Sequence, residues 1–306
     1  MNPKIVVVGS ANTDFVVHVP QLPSGGETVL GDQFHVVRGG KGANQAVAAA
    51  RLGAEVTLVA RLGDDNFGRE ALSAYRKEEI DTGFIVLDKQ APSGVAFIMV
   101  NQDGENLIAV APGANSRLSP QDVLAAESAI AEADCLLLQL EVPLETVRTA
   151  AELARRYNVR VILNPAPAQR LPADFFELAD ILTPNESEAA FLAEVPSESP
   201  AFLSYLSSRI TGPDLIVTLG SKGACILSHG EEVYVATVAV TPVDTTAAGD
   251  AFNGALAVAL ARGDSLFQAV LYANMAGAIA ATRAGAQPSL PTATELEQFA
   301  ASAALL

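Results

Sequence analysis

Asp244-Thr245-Thr246-Ala247-Ala248-Gly249-Asp250-Ala251-Phe252 strings small residues into a tight turn and closes it with one carboxylate. It then runs straight into the apolar segment from Phe252 to Leu260. A turn-to-helix junction of this kind leaves unpaired N–H groups at the positive end of the helix dipole, a place suited to an anion. A carboxylate beside an anion cradle fits phosphoryl transfer to a hydroxyl: Asp250 takes the proton and the amides steady charge on the moving group. An ordinary helix start with an acid in its first turn has the same local pattern, so the stretch must be read with the rest of the chain.

Outward from this junction, apolar β-branched runs alternate with alanine-rich helical stretches. Strands are expected at Ile5–Val8, Val56–Ala60, Cys135–Leu140, Val159–Leu163, Ile181–Thr183 and Leu215–Leu219. Helices are expected at Gly42–Leu52, Phe67–Glu78, Pro120–Glu132, Leu144–Tyr157, Glu186–Glu194, Gly249–Ala261 and Leu266–Thr282. Short, continuously apolar strands between helices predict an α/β fold: a doubly wound, mainly parallel sheet covered by helices on both faces. Ligands of such sheets sit beyond the carboxyl ends of the strands. Asn12 and Asp14, Glu141, Asn164, Asn185 and Gly220 all follow strand ends.

Two segments, approximately 13–37 and 93–111, break the alternation with short strands, Pro, Gly and turn dipeptides. Gln102-Asp103-Gly104 reads as a hairpin turn between Val95–Val100 and Asn106–Val110. Together they predict a small β-sheet inserted in a single domain spanning residues 1–306. So small a sheet must cover something or pair with another copy, as a lid, a dimer contact or both. Ser197–Pro200 reads as a surface loop.

The formal charge of −16 argues against nucleic acid or an anionic membrane surface as partner, since both require basic patches. A phosphorylated substrate remains compatible, because local amides and a metal ion outweigh the global field. No apolar run approaches the roughly 20 residues that cross a bilayer. Lys4 leads directly into Ile5-Val6-Val7-Val8 without the parts of a signal peptide, so a cytoplasmic protein is expected. Cys135 and Cys225 each lie inside an apolar run and read as packing residues of a reducing compartment.

A second signature, Gly39-Gly40-Lys41-Gly42-Ala43-Asn44-Gln45-Ala46, enters a helix. It has neither the spacing of a phosphate loop nor that of a dinucleotide fingerprint. Its glycines let a small polar ligand approach the backbone, and Asn44 offers a donor and an acceptor; a glycine hinge is the plainer alternative. Asn12 and Asp14 can reach vicinal hydroxyls of a polyol, and Glu141 a further one. Asn185 and Glu188 have the spacing of a capping box, but Glu188 can equally orient water around a Mg²⁺ that bridges nucleotide phosphates. Thr218-Leu219-Gly220-Ser221-Lys222-Gly223 ends a strand with a polar loop able to wrap a triphosphate. His18, His35 and His229 have no metal-ligand spacing.

Taken together these motifs resemble the ribokinase-like family of sugar and nucleoside kinases, over roughly residues 4–300. The first signature lies around Gly39–Gly68 and the second at Asp244–Leu256, with Asn-x-x-Glu between them. Gly9-Ser10-x-Asn12-x-Asp14, Pro23-x-x-Gly26-Glu27-Thr28, Gln139-Leu140-Glu141, Asn164-Pro165-Ala166-Pro167-Ala168 and Gly285-Ala286-Gln287-Pro288-Ser289 place the likeness with the members that act on ribose. The resemblance implies that Asn12, Asp14, Gly40, Lys41, Asn44 and Glu141 hold the sugar. It implies that Asp250 deprotonates the 5-hydroxyl of D-ribose and that the amides of Ala247, Ala248 and Gly249 form the anion hole. Asn185, Thr218, Gly220, Ser221 and Gly223 would contact ATP, with Glu188 acting on Mg²⁺ through water.

An activating K⁺ would lie among Asp244, Thr246, Ala280, Arg283, Gly285 and Ser289, mostly on backbone carbonyls, which suit its loosely held hydration shell. Asn274 stands where a His often lies near the adenine, and Thr246 replaces a common apolar residue. The implied product is D-ribose 5-phosphate, and the implied assembly a homodimer through the lid. Deoxyribose, fructose or adenosine is the alternative acceptor. A catalytically silent sugar-binding regulator is the alternative of another class, disfavoured because Asp250 and the Gly249 turn are intact.

Overall fold

In the computed structural model, β1 (Lys4–Val8) buries Ile5 and Val7 in one apolar cluster and Val6 and Val8 in another. A strand covered on both faces needs apolar residues at consecutive positions, which accounts for the uninterrupted run. The structure describes residues 2–303 except 103, 104, 198 and 200. The turn expected at Gln102-Asp103-Gly104 and the loop at Ser197–Pro200 thus lie partly outside the described residues.

The strands that follow are β2 (Asn12–His18), β3 (Gln33–Gly39), β4 (Glu55–Gly63), β5 (Ile85–Asp88), β6 (Gly94–Val100) and β7 (Asn106–Ala111). Then come β8 (Cys135–Leu138), β9 (Arg160–Leu163), β10 (Ile181–Leu182), β11 (Asp214–Thr218), β12 (Ala224–Ser228) and β13 (Glu231–Val235). Nine of them make one sheet in the order β13-β12-β11-β10-β9-β8-β1-β4-β5. From β11 to β5 all neighbours are parallel, while β12 and β13 return antiparallel at one edge. This is the expected doubly wound, mainly parallel sheet. Because β1 pairs with β4 on one side and β8 on the other, the chain reverses direction across the sheet there, and open α/β sheets bind their ligands beyond the carboxyl ends of the strands at such a point.

β2, β3, β6 and β7 form a separate four-stranded sheet in the order β3-β2-β6-β7. Its root is pinned to the main body by Asn115, whose Nδ2 donates to Asn12 Oδ1 at 2.7 Å while its Oδ1 accepts the Ala11 N–H at 2.9 Å. Phe15 stacks with Phe34 and Phe97 and meets Phe67 edge-on, which leans the sheet on the helix Asn66–Lys77. Phe34, Val36, Phe97, Leu107, Ile108 and Val110 remain exposed on it.

Several elements differ from the sequence expectation, which contained neither β5 nor the helices Ala173–Phe176, Phe202–Arg209 and Ala293–Ala303. The helix expected over Pro120–Glu132 is two short helices, Pro120–Ala125 and Glu127–Ala131, broken where Ala126 leaves helical geometry at ψ 10°. Ala126 is fully buried, so packing overrides a run of good helix formers. The β12–β13 hairpin was not anticipated, because its turn places His229 and Gly230 both at positive φ, and only the glycine signals such a turn. Among the described residues no helix is long and apolar enough to cross a membrane, and both cysteines are buried and unbridged.

Candidate active site

The helix Ala248–Ala261 begins with Ala247 in the left-handed region, at φ 60°, and no side chain caps it. The Ala248 N–H turns back to Thr245 O at 3.2 Å, so one of the three amides expected to face an anion is engaged within its own loop. A side chain at Gly249 would meet nothing within 4 Å, so the space above the helix start is open. Asp250 lies one residue further on and is buried, with Asn44 Nδ2 donating to Oδ2 at 2.9 Å and Gln45 Nε2 to Oδ1 at 3.0 Å. Both donors sit on the helix Lys41–Arg51, so the two signature segments meet at this carboxylate.

The glycines of the first signature serve the chain's approach to itself more than room for a ligand. At Gly40, φ 89°, a Cβ would fall 2.7 Å from Ala11 Cα; at Gly42 it would fall 2.6 Å from Ser10 N. These contacts press the helix start onto the loop after β1. Glu141, just beyond β8, fixes the same junction: its Oε2 accepts from Ser10 Oγ at 2.5 Å and from the Lys41 N–H at 3.1 Å.

Asp14, Lys41, Glu141, Glu188 and Asp250 therefore form one electrostatic group around a single ammonium. Burial pushes the Asp14 carboxyl up to about 7, helped by the negative charges of Glu141 and Asp250. Burial also raises Asp250, against the pull of Lys41 and of the Asn44 and Gln45 amides, with Glu141 adding to the rise. Burial disfavours the Lys41 ammonium, yet Asp250, Glu141 and Glu188 outweigh it and hold the group above its usual range.

Asn185 and Glu188 do form a reciprocal capping box at the start of the helix Glu186–Ala193, with bonds of 2.8 and 2.9 Å. Burial raises the Glu188 carboxyl despite the Asn185 N–H and Lys41, and Asp250 raises it further. Among the described residues no three His, Cys, Asp or Glu side chains converge to hold a metal directly. The donor set fits a Mg²⁺ kept in its waters and on phosphate, because a buried carboxyl raised by its surroundings gains from a nearby cation.

Asn185 bridges to Thr218 across neighbouring strand ends; Gly220 and Ser221 lie on the 3₁₀ turn that follows β11, and Gly223 ends it. A Cβ at Gly223 would fall 2.1 Å from Val235 O, so that glycine is demanded by the adjoining strand. Asn274 is buried and its Nδ2 donates to Val235 O at 2.9 Å, which commits its amide N–H₂ to holding the end of β13.

The segments that carry the expected cation ligands adjoin, the loop at Asp244 meeting the end of the helix Leu266–Ala281 and the turn at Gly285. Asp244 Oδ1 accepts the Thr246 N–H at 2.9 Å and Oδ2 the Gly285 N–H at 2.8 Å. Ala281 O accepts the Val243 N–H at 2.8 Å; Arg283 N–H reaches Ala280 O, and buried Ser289 donates to Ala286 O at 2.7 Å. Burial works against the Asp244 carboxylate, but Thr246, Gly285 and His18 hold it below its usual range. A charged carboxylate at a junction of carbonyl-bearing loops fits a weakly hydrated cation.

The sequence assigns no role to Gln45, Asn115, Gln139, Asn164, Thr183 or Asn253, although Gln45, Gln139 and Asn164 stand in the motifs that carry the resemblance. All are buried and hydrogen-bonded around the site. The available signal was a polar residue inside an otherwise apolar helix, as with Gln45 among alanines and Asn253 within Phe252–Leu260.

Comparison with known proteins gives the family and the fold. The family model described as pfkB family carbohydrate kinase matches residues 2–293. A ribokinase from Haemophilus influenzae is 43% identical over 98% of this chain and 99% of its own length. A deoxyribokinase from Salmonella typhi is 36% identical over 96% of this chain and 97% of its own. The structure of Arabidopsis thaliana ribokinase complexed with ribose and ATP superposes with a TM-score of 0.88 at 32% identity, covering 98% of this chain and 99% of that one. Matched nearly end to end, with both signatures closing on one buried aspartate, the chain belongs to the pfkB family of carbohydrate kinases.

Proposed function

We propose that this chain is an ATP-dependent ribokinase, which transfers the γ-phosphoryl group of ATP to the 5-hydroxyl of D-ribose and releases D-ribose 5-phosphate and ADP. The observation that carries the reading is Asp250: buried, held by two amides, and placed beside an open, uncapped helix start. The 43% identical ribokinase of Haemophilus influenzae supports the choice of sugar.

In this reading Asn12, Asp14, Gly40, Lys41, Asn44 and Glu141 hold the ribose hydroxyls, with Asn115 fixing the Asn12 amide so that its N–H₂ faces the sugar. Asp250 accepts the 5-hydroxyl proton as the oxygen attacks in line. The turn at Ala247, Ala248 and Gly249 receives the charge on the transferred group, the Ala248 N–H once released from Thr245 O, and the Lys41 ammonium balances the surrounding carboxylates. Asn185, Thr218, Gly220, Ser221, Gly223 and Asn274 border the nucleotide. Mg²⁺, when bound, neutralises charge on the phosphates, and Glu188 orients its waters. K⁺ on the loops at Asp244, Thr246, Ala280, Arg283, Gly285 and Ser289 would order the segment that leads into the anion turn. The small sheet, over approximately 13–37 and 93–111, closes as a lid that excludes water from the transfer. A cytoplasmic location goes with unbridged, buried cysteines.

A measurement of ADP release with D-ribose, 2-deoxyribose, fructose and adenosine, in K⁺ and in Na⁺, tests the proposal. Ribose is expected to turn over fastest, and faster in K⁺. The deoxyribokinase relative makes 2-deoxyribose the second acceptor to watch. Preference for it would keep the phosphoryl-transfer reading and overturn the sugar assignment; silence with all four would favour a sugar-binding regulator.

The exposed apolar residues Phe34, Val36, Phe97, Ile108 and Val110 on the small sheet support a homodimer formed through it. Light scattering at working concentration is expected to give twice the 31.7 kDa chain mass. A monomer-sized species would rule the dimer out.

A further inference from the structure

The side chains behind Asp250 form a hydrogen-bonded relay in which each amide's orientation is dictated by the one before. It starts at a backbone atom. Thr183 O can only accept, so the end of Asn164 that meets it at 2.9 Å is Nδ2, and Asn164 Oδ1 faces the other way. That oxygen can only accept, so the end of Gln45 at 3.3 Å is Nε2. The same Nε2 reaches Asp250 Oδ1 at 3.0 Å, while Gln45 Oε1 accepts from Gln139 Nε2 at 2.6 Å. Gln45, Gln139, Asn164 and Thr183 are all buried, so water does not compete for these positions. Thr183 also donates through Oγ1 to Asn253 Oδ1 at 2.6 Å, and Asn253 Nδ2 donates to Gly249 O at 2.8 Å. One anchor thus holds both the base and the anion turn.

We propose that Gln45 is a positioning residue for the phosphoryl transfer: its amide fixes the Asp250 carboxylate, and Thr183, Asn164 and Gln139 ensure that a donor, never an acceptor, faces it. The inference rests on the reading of Asp250 as the base. Gln45 is fully buried, and its amide is committed to Asn164, Gln139 and Asp250 within the protein. The charged groups that face Asp250 are Lys41 at the start of the helix that carries Gln45, Glu141 beyond β8, Asp14 on β2 and Glu188 on the helix Glu186–Ala193. Lys41, Asn44 and Gln45 favour the charged carboxylate; removal of the Gln45 donor therefore lets burial raise it further, and a carboxylate in its place adds repulsion.

The test is the pH profile of kcat for Gln45→Met and Gln45→Glu, with calorimetric ribose affinity and carbon-13 NMR titration of the Asp250 carboxyl in the free protein. Turnover at neutral pH is expected to fall by up to about ten-fold, and the acid limb to move up by about one pH unit, the worth of one charge-assisted hydrogen bond. The shift should be larger for Gln45→Glu, with ribose affinity retained. Gln45→Met leaves Gln139 Nε2 unpaired; should it not fold, Gln45→Glu keeps both the volume and the acceptor toward Gln139. An unmoved acid limb and unmoved Asp250 titration in a folded variant, or ribose affinity falling in step with kcat, overturns the proposal. Wild-type protein inactive on every acceptor would instead overturn the proposed function, and the NMR titration would still decide the role of Gln45.

Discussion

Asp250→Ala is expected to lower turnover by roughly 10³-fold, within the range a general base contributes, while ribose still binds. The asymmetry follows from the geometry. Asn12, Asp14, Lys41, Asn44 and Glu141 lie on β2, the first signature and the loop after β8, and none depends on Asp250 for its backbone position. What disappears is the proton acceptor, together with one hydrogen-bond partner of the sugar. Alanine is the better probe than asparagine, because Asn44 and Gln45 both present N–H groups to the carboxylate and an amide cannot accept on both sides. Steady-state kinetics beside calorimetric ribose binding checks the outcome. Turnover within about ten-fold of wild type would remove Asp250 from the role of base, since that is less than general-base catalysis supplies. Lost ribose binding with retained turnover would reverse the assignment altogether.

The prominence of Asp250 in the sequence has a physical origin, and so does the invisibility of its support. A turn of small residues ending in a carboxylate before an apolar helix is local chemistry, readable within nine positions from Asp244 to Phe252. The two-faced burial of β1 is local too, since Ile5 and Val7 must differ in destination from Val6 and Val8. The relay behind the base is not. Asn44 and Asp250 are 206 positions apart, and Gln45 and Asn164 are 119 apart, so only the folded sheet brings them together. The same holds for the glycines at 40 and 42, whose purpose is set by the backbone of residues 9–12 pressing on them. The Asn185–Glu188 pair shows a different limit. A capping box and a metal-water contact ask for the same residues at the same spacing, and the observed capping bonds do not preclude the second use.

Asp14→Asn should make the protein more stable above neutral pH and much poorer at binding ribose. Asp14 is buried beside Glu141 and Asp250, and its carboxyl is raised from 3.8 to about 7. A carboxyl whose folded value lies above its unfolded value binds its proton more tightly when folded. Stability therefore falls as pH rises from the unfolded value through about 7, and stays low above it. At about 1.4 kcal/mol per unit, the shift corresponds to an upper bound of about 4 kcal/mol. Asparagine keeps the shape, cannot ionise and still carries the cost of a buried amide, so a gain of about 1–3 kcal/mol well above pH 7 is the realistic expectation. Near the unfolded value the gain should vanish. Ribose affinity should drop by about 100-fold, because a neutral amide replaces the charge-assisted acceptor of the sugar hydroxyls. The wild type should itself bind ribose more tightly as pH rises through about 7, as the charged acceptor forms. Denaturant unfolding of both proteins across this range, with calorimetric ribose titrations, decides the matter. A stability difference that does not change with pH would show that the Asp14 charge is not strained in the fold, and unchanged ribose affinity would remove it from the sugar site. Joint appearance of the two effects would mean that the fold tolerates an unfavourable carboxylate at Asp14 because the sugar requires it there.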